Sequence, residues 1–398
     1  MKHNHITIQD PAQCCGCRAC ANACPRNAIT MRPDAYGFFY PDVDTATCVD
    51  CGKCLAVCDF AKTETKGTTP FAAYAAIHKD RKILKESSSG GVFWTLADYV
   101  LETGGAVCGC VLDKNLAPIH VCSEKTEDVV RMRRSKYAQS DVGLVYRDVA
   151  ARLSGGQTIL FTGTPCQIAA LYEVLGQRDR ENLITVDLVC HGVPSALMFR
   201  RFIDYLEKKY RTEIVNFNFR SKKYGWQRWT TSYTNVRGAE KNLGKINEFY
   251  IPAFTVGNLM RPSCFICKYA CPERVGDITV GDFWGHEKAD IKMNTEYGLS
   301  LVTLNTARAK ALLPLLADRL SLEEIDYQIA VNGNRCLHAP TEKGDKWDAY
   351  MEALKNDTVE DMAKRYIQKN KKKILRNKLK MRVPYELFAQ IRKKKYRK

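Results

Sequence analysis

The chain has 398 residues, 45% of them apolar, with 18 cysteines and a formal net charge of +17. Two or three domains are expected at this length, and ordinary apolar content without an unbroken apolar run of about 18 residues excludes a disordered chain and a membrane-spanning helix. Residues 364–398 hold sixteen Lys/Arg against one acid, Glu386, so the rest of the chain carries a formal charge of only +2 and is not the basic body of a nucleic-acid binder. The first residues form no signal-like apolar segment. In a chain expected to stay in a reducing, cytoplasmic setting, this many cysteines argue for metal ligation over disulfides.

In chain order, the first informative stretch is Cys14-x2-Cys17-x2-Cys20-x3-Cys24-Pro25, repeated with the same spacing as Cys48-x2-Cys51-x2-Cys54-x3-Cys58. Each run offers three thiolates on a tight turn and a fourth one helical step later, the spacing that wraps a cubane 4Fe–4S cluster. The fourth cysteine of each run ligates the other cluster. The expected sets are therefore Cys14, Cys17, Cys20 and Cys58, and Cys48, Cys51, Cys54 and Cys24. Residues 5–65 resemble bacterial two-cluster ferredoxins. Asp59 stands where that pattern has a proline, which is not a ligand, and Cys15 is surplus to the pattern and reads as a bystander thiol. Oxygen-sensitive clusters of this kind suit an anaerobic host.

Between the runs, short apolar segments flanking Asp34-Ala35-Tyr36-Gly37 predict a hairpin. Residues 62–70 read as a linker and Ala72–His78 as a strand. Lys85-Glu86-Ser87-Ser88-Ser89-Gly90-Gly91 then opens a helix over Val92–Leu101. Hydroxyls and glycines there offer N–H groups to an anion, while an N-cap with a flexible turn explains the same residues. Ala106–Leu112 reads as a buried strand, with Cys108 and Cys110 as core thiols. Arg131–Tyr137 is a basic cluster with an aromatic, either a phosphate clamp or a solvated turn.

From residue 157 the pattern is strand, loop, helix: Thr158–Phe161 then Ile168–Leu175, and Leu183–Val189 then Ala196–Lys208. Repeated units of this kind predict an α/β layer with a largely parallel sheet, whose ligands lie where strand carboxyl ends meet loops. Both loops carry a cysteine there, Cys166 and Cys190. Later strands are expected at Glu213–Phe219, Arg228–Thr234, Asp277–Phe283 and Leu299–Asn305. Cys264-x2-Cys267-x3-Cys271 is a third, incomplete metal-binding run that needs a fourth ligand from elsewhere. It suits a third cubane or a zinc ion, the latter completed by His191, His286 or Cys336.

Residues 85–91 (KESSSGG), 135–140 (SKYAQS), 161–170 (FTGTPCQIAA), 186–195 (VDLVCHGVPS), 264–271 (CFICKYAC) and 277–285 (DITVGDFWG) together resemble the family of coenzyme F420 hydrogenase/dehydrogenase beta subunits over residues 70–330. Plant 7-hydroxymethyl chlorophyll a reductase is a relative in that family. The resemblance implies an iron–sulfur flavoprotein that binds FAD beside a third 4Fe–4S cluster. Carried over by position, Ser87, Ser88, Ser89, Gly90 and Gly91, with Ser135, Lys136 and Tyr137, would help hold FAD. Cys264, Cys267 and Cys271 would hold the inner cluster, with Cys166 as its fourth ligand and Cys190 the next choice.

The expected architecture is an α+β / α/β multidomain chain. It comprises a ferredoxin-type domain (1–65), a flavin-binding part (70–150), an α/β part with the third cysteine run (151–340) and a basic helical tail (341–398). The expected function is an oxidoreductase that takes electrons from a ferredoxin-like donor or partner subunit through the clusters to FAD, and on to a small organic or sugar-linked substrate. The alternative is an electron-transfer subunit with no substrate of its own. His191, in a loop at a strand end, is the candidate proton donor, or else a brace for that loop. The tail interleaves charge with Leu375, Leu379, Leu387 and other apolar residues. That pattern fits peripheral contact with an anionic membrane or a solvated helix, and it has no nucleic-acid motif.

Overall fold

The computed structural model describes residues 4–62, 67–178, 180–381, 383–385 and 387–388. Part of the expected linker (63–66), Glu386 and the tail from residue 389 lie outside them.

The amino-terminal module consists of α1 (Ala19–Ala23), the antiparallel hairpin β1 (Ile29–Pro33) and β2 (Phe39–Val43), and α2 (Lys53–Ala56). Both helices are preceded by a residue in the left-handed region, Arg18 and Gly52, so each cysteine run turns sharply before its third thiol. This module's own apolar cluster is small, comprising Ile6, Cys20, Ala21, Met31 and Cys54. A core this small holds its shape through bound metal or through packing on a larger body.

That body begins with β3 (Ala72–His78), α3 (Arg81–Glu86), α4 (Val92–Glu102), β4 (Ala106–Leu112), β5 (Pro118–Ser123), α5 (Thr126–Met132) and α6 (Val145–Ser154). It continues through β6 (Ile159–Gly163), α7 (Pro165–Leu175), β7 (Leu183–Leu188), α8 (Ala196–Tyr210), β8 (Ile214–Ser221), β9 (Thr230–Asn235), β10 (Glu240–Asn242) and α9 (Tyr250–Thr255). The last elements are β11 (Ile278–Asp282), β12 (Ser300–Leu304), α10 (Ala307–Ala311), α11 (Leu313–Arg319), β13 (Leu320–Glu324), α12 (Tyr327–Gly333), α13 (Trp347–Lys355), α14 (Val359–Lys369) and α15 (Lys371–Lys380).

Eight strands form one sheet in the order β13-β3-β12-β11-β7-β6-β4-β5, and β10-β9-β8 form a second. Only the centre of the large sheet, β11-β7-β6-β4, is parallel; β12, β3, β13 and β5 are antiparallel additions. The sheet is therefore mixed rather than largely parallel. The strand–loop–helix pattern applies only where helices α6 and α7 provide crossovers, and β8 and β9 belong to the other sheet. The parallel strands are largely apolar where they are buried on both faces: Ile159, Leu160 and Phe161 are inaccessible to solvent.

Helix α8 shows how the sequence sets the packing. Ser195 caps it by accepting from the Met198 N–H at 3.1 Å, worth about 1 kcal/mol. Met198, Phe199, Phe202, Ile203 and Leu206 recur at helical spacing and are buried against Phe217, Phe219 and Tyr250. Tyr350, Met351, Leu354, Val359 and Ala363 enter the same core, so α13 and α14 are packed elements and the exposed basic stretch begins at α15.

One expectation about the cysteines is corrected. Cys108 and Cys122 stand directly opposite on β4 and β5 and form a disulfide. Adjacent antiparallel strands bring a facing pair within bridging range, and sequence spacing alone does not show that register.

Candidate metal centres

Three groups of cysteines emerge. Cys24, Cys48, Cys51 and Cys54 line one small cavity with Asn4 and His5, near the surface where Cys51 is exposed. Backbone N–H groups already point at two of these sulfurs, Ile6 N to Cys54 Sγ and Ala28 N to Cys24 Sγ, both at 3.3 Å. In the second group Cys14, Cys17 and Cys58 are electrostatic neighbours of Cys20, and burial pushes the Cys20 thiol well above its ordinary range. The structure thus brings Cys24 beside Cys48, Cys51 and Cys54, and Cys58 beside Cys14, Cys17 and Cys20.

The third group forms where β6 and β7 end. Thr164 and Gln167 make a capping box that starts α7 and sets Cys166 in its first turn. The chain leaving β7 carries Cys190, whose sulfur accepts from Gly192 N at 3.4 Å. Gly192 has a φ of +111°, and a Cβ there would meet the Met260 sulfur at 2.8 Å and Cys264 Cβ at 3.2 Å, so a glycine lets the two loops close together. Cys166, Cys264 and Cys267 are all electrostatic neighbours of Cys190. Burial pushes Cys264 and Cys267 up to about 12, so metal binding here would have to displace protons.

Cys271 stands apart. Its sulfur faces the Glu273 carbonyl at 3.3 Å, and its electrostatic neighbours are Arg274 and Glu273. The reason lies in the segment between. Tyr269 Oη donates to Asp59 Oδ2 at 2.6 Å, and Lys268 pairs with Asp59 at 3.2 Å, so the chain after Cys267 is pulled towards the amino-terminal module. Fully buried Arg274 then bonds the Tyr269 and Cys271 carbonyls and pairs with Asp187 at 3.2 Å. Of the expected set, Cys166, Cys264 and Cys267 are brought together with Cys190 beside them, while Cys271 has Glu273 and Arg274 as its neighbours. Of the other candidate ligands, Cys336 contacts His191 Nδ1 at 3.6 Å, and His286 Nδ1 lies 3.0 Å from the Phe283 carbonyl. Among the described residues, no three His, Cys, Asp or Glu side chains are gathered tightly enough to chelate a single ion.

The second and third groups touch. Cys15, surplus in the sequence pattern, is buried, with Cys17 and Cys166 as its electrostatic neighbours. The neighbouring Cys15 thiol holds Cys17 below the ordinary thiol range and Cys166 down to about 7. Sequence reasoning missed this role because the partner is 151 positions away in the chain, and the adjacent Cys14-Cys15 pair carries no spacing signal.

The residues expected at a flavin converge in part. Ser135 N donates to Ser88 Oγ at 2.8 Å, joining the two segments. Ser87 and Ser89 are tied inward, to the Ile83 and Leu299 carbonyls, and Lys136 bonds the carbonyls of Arg131, Met132 and Arg133 at the end of α5. Gly91, at φ +96°, starts α4 without a side-chain cap, which leaves its first N–H groups suited to an anion. Gly90 is needed for packing instead, since a Cβ there would collide with the Ala76 carbonyl. Tyr137 is half-buried, stacks on Phe254 at 4.7 Å and bonds Arg220, which pairs with Asp282 at 2.6 Å. Arg220 Nε and Nη2 are buried without a partner, the orphaned donors expected beside a polar ligand. His191 Nε2 lies 3.1 Å from the Thr255 carbonyl and Nδ1 lies 3.3 Å from Thr341 Oγ1, the arrangement of a loop brace.

Residues 73–145 and 156–328 match the amino- and carboxyl-terminal parts of the family described as coenzyme F420 hydrogenase/dehydrogenase, beta subunit, and residues 13–61 match a 4Fe-4S dicluster domain. The chain is 24% identical over 225 residues to a subunit of the F(420)H(2) dehydrogenase of Methanosarcina mazei, covering 53% of this chain and 63% of that one. It is 28% identical over 172 residues to the coenzyme F420-dependent sulfite reductase of Methanocaldococcus jannaschii, covering 41% of this chain and 25% of that one. The chain thus spans less than two thirds of either relative. A chain of the F420-reducing NiFe hydrogenase complex from Methanosarcina barkeri superposes with a TM-score of 0.45 at 19% identity, covering 79% of this chain and 94% of that one.

Proposed function

The chain belongs to the family of coenzyme F420 hydrogenase/dehydrogenase beta subunits, with a 4Fe-4S dicluster domain in front, and from that premise we propose that it is an iron–sulfur flavoprotein oxidoreductase. It would draw electrons from a ferredoxin-like donor or partner subunit and deliver them to a small organic or sugar-linked substrate. The observation that carries this reading is the contact between the second and third cysteine groups, where Arg261, three residues before Cys264, donates to the Cys14 carbonyl at 2.7 Å. It makes the amino-terminal module part of the body's site rather than a tethered accessory.

The proposed ligand sets are Cys24, Cys48, Cys51 and Cys54 at the outer site, Cys14, Cys17, Cys20 and Cys58 at the middle site, and Cys166, Cys190, Cys264 and Cys267 at the inner site. Clusters in these sites would carry electrons one at a time, and FAD would pair them. The chain's own residues prepare these places. N–H groups of Ile6, Ala28, Gly16 and Gly192 donate to Cys54, Cys24, Cys14 and Cys190, which favours thiolates. Arg261, fully buried, adds positive charge beside Cys14, Cys17, Cys166 and Cys264. The uncapped start of α4 fits a flavin phosphate, and Arg220 and Tyr137 offer donors and a stacking surface near it.

A second reading is an electron-transfer subunit without its own substrate; one relative is named as a subunit of a dehydrogenase. Helix α15 also supports a peripheral contact. Leu375 and Leu379 are 61% and 56% exposed, one turn apart among Lys371, Lys372, Arg376 and Lys378, and we assign this face to an anionic membrane surface.

Iron and flavin content after anaerobic purification tests the central reading. It requires about twelve irons and one FAD per chain. About eight irons and no flavin would reduce the protein to a two-cluster carrier.

A further inference from the structure

Lys222 follows directly on β8 of the second sheet and is buried. Its ammonium ends against the Ser87–Gly91 loop that precedes α4. Nζ donates to the Leu84 carbonyl at 2.8 Å, to the Ser89 carbonyl at 2.7 Å and to the Tyr297 carbonyl. Three acceptors on one nitrogen take all three protons of an ammonium, a compact point charge. Burial works against that charge, and the three carbonyl dipoles aimed at it hold it in place. The turn at Gly298 closes around it. Its φ is +128°, and a Cβ there would collide with the Ser89 carbonyl and meet Lys222 Nζ at 3.0 Å.

This grip fixes the peptides of the loop. In a planar trans peptide the C=O and N–H point opposite ways. The Ser89 carbonyl is drawn to Lys222 while the Gly90 N–H donates to Ser300 Oγ at 2.8 Å, so that peptide is held from both sides. The Gly90 carbonyl accepts from His78 N at 2.7 Å, which turns the Gly91 N–H away from β3 at the start of α4. We propose that Lys222 is a positioning residue for the phosphate half of the flavin. The inference rests on the reading of this loop as the flavin phosphate site. Its protons are taken by carbonyls, so Lys222 acts through the loop: it sets the direction of the backbone N–H groups and places a full positive charge behind them. A flavin ring without phosphate gains nothing from this arrangement.

The experiment compares FAD and riboflavin binding, by flavin fluorescence, to the full chain freed of flavin and to Lys222→Met and Lys222→Gln prepared alike, with iron content as the check on fold. Both variants are expected to keep the parent's iron and riboflavin affinity and to bind FAD about tenfold more weakly. Lys222→Gln, the milder change in a buried place, decides the matter where Lys222→Met loses iron. FAD affinity equal to the parent's overturns the proposal. Equal loss of FAD and riboflavin, or loss of iron from both variants, makes Lys222 a general brace of the fold and overturns it as well. A parent chain that takes up no FAD is a different failure: it refutes the flavin reading itself, and the proposal falls with it.

Discussion

Arg261 Nε donates to the Cys14 carbonyl across 2.7 Å, so the residue three positions before Cys264 is fastened to the first cysteine of the amino-terminal run. The same guanidinium reaches the Phe39 carbonyl at 2.9 Å and lies 4.3 Å from the Tyr40 ring centroid. It is fully buried, and its hydrogen bonds go to neutral oxygens. A buried cation with such partners is costly unless negative charge lies nearby, and here the nearby groups are cysteines of two sites.

Arg261→Met is therefore expected to do two things. It strands the Cys14 and Phe39 carbonyls, at about 1–3 kcal/mol for each buried acceptor, so stability falls by about 2–6 kcal/mol. It also removes the positive charge beside the middle and inner sites, so iron is lost there while the outer site, Cys24, Cys48, Cys51 and Cys54, keeps its share. Denaturant unfolding and iron counts on the same preparations check both; a variant with the parent's midpoint and iron content would refute the assignment.

Cys190→Ser and Cys271→Ser separate the two inner ligand sets. With Cys190 as ligand, its serine variant drops from about twelve irons to about eight. Cys271→Ser leaves the count and the EPR signals unchanged, because its sulfur faces the Glu273 carbonyl. The opposite pattern would restore the ligand set read from the sequence.

The contrast between these two cysteines shows where sequence reasoning stops. The grouping of Cys14 to Cys58 is legible from spacing because the eight cysteines lie on two local turns, where local geometry governs which of them approach. Ala72–His78 and Ala106–Leu112 are strands over the expected bounds because unbroken apolar or small-residue runs have few alternatives. Cys166, Cys190 and the Cys264–Cys267 pair come from three loops, and Asp59 holds Tyr269 and Lys268, between Cys267 and Cys271, across some 210 positions, a contact that spacing does not show. The edge strand β5 and the Cys108–Cys122 pairing were hidden for the same reason, since register between strands is set by the sheet.

His120 gives a pH prediction. It is buried between the Thr162 carbonyl, 3.1 Å from Nε2, and Ser140 Oγ, 2.8 Å from Nδ1, and it stacks on Phe161. Burial holds its pKa down to about 4, below the ordinary value of 6.5. The unfolded chain therefore takes up a proton first as pH falls. The stability from the neutral ring is intact above pH 6.5 and is lost between 6.5 and 4, at about 1.4 kcal/mol per pH unit. From pH 7 to pH 5 the chain should lose about 2 kcal/mol that His120→Gln does not lose. Parallel urea unfolding at the two pH values measures the difference, and equal losses would show that His120 is not the group responsible.

Helix α15 carries Lys371, Lys372, Lys373, Arg376, Lys378 and Lys380 without an acid, around exposed Leu375 and Leu379. Each basic residue near an anionic surface contributes about 1 kcal/mol, and each leucine adds its buried area if it enters the headgroup region. Replacing both leucines with glutamate removes the apolar anchor and changes the local charge by two units without touching Ile374, the residue that packs inward. Flotation with phosphatidylserine vesicles should recover the parent chain in the lipid fraction at low salt and leave most of Leu375→Glu/Leu379→Glu behind. Neutral phosphatidylcholine vesicles should recover neither. Equal flotation of parent and variant on the anionic vesicles would mean that this face does not meet a membrane, and that the charge of α15 serves only to keep the helix in water.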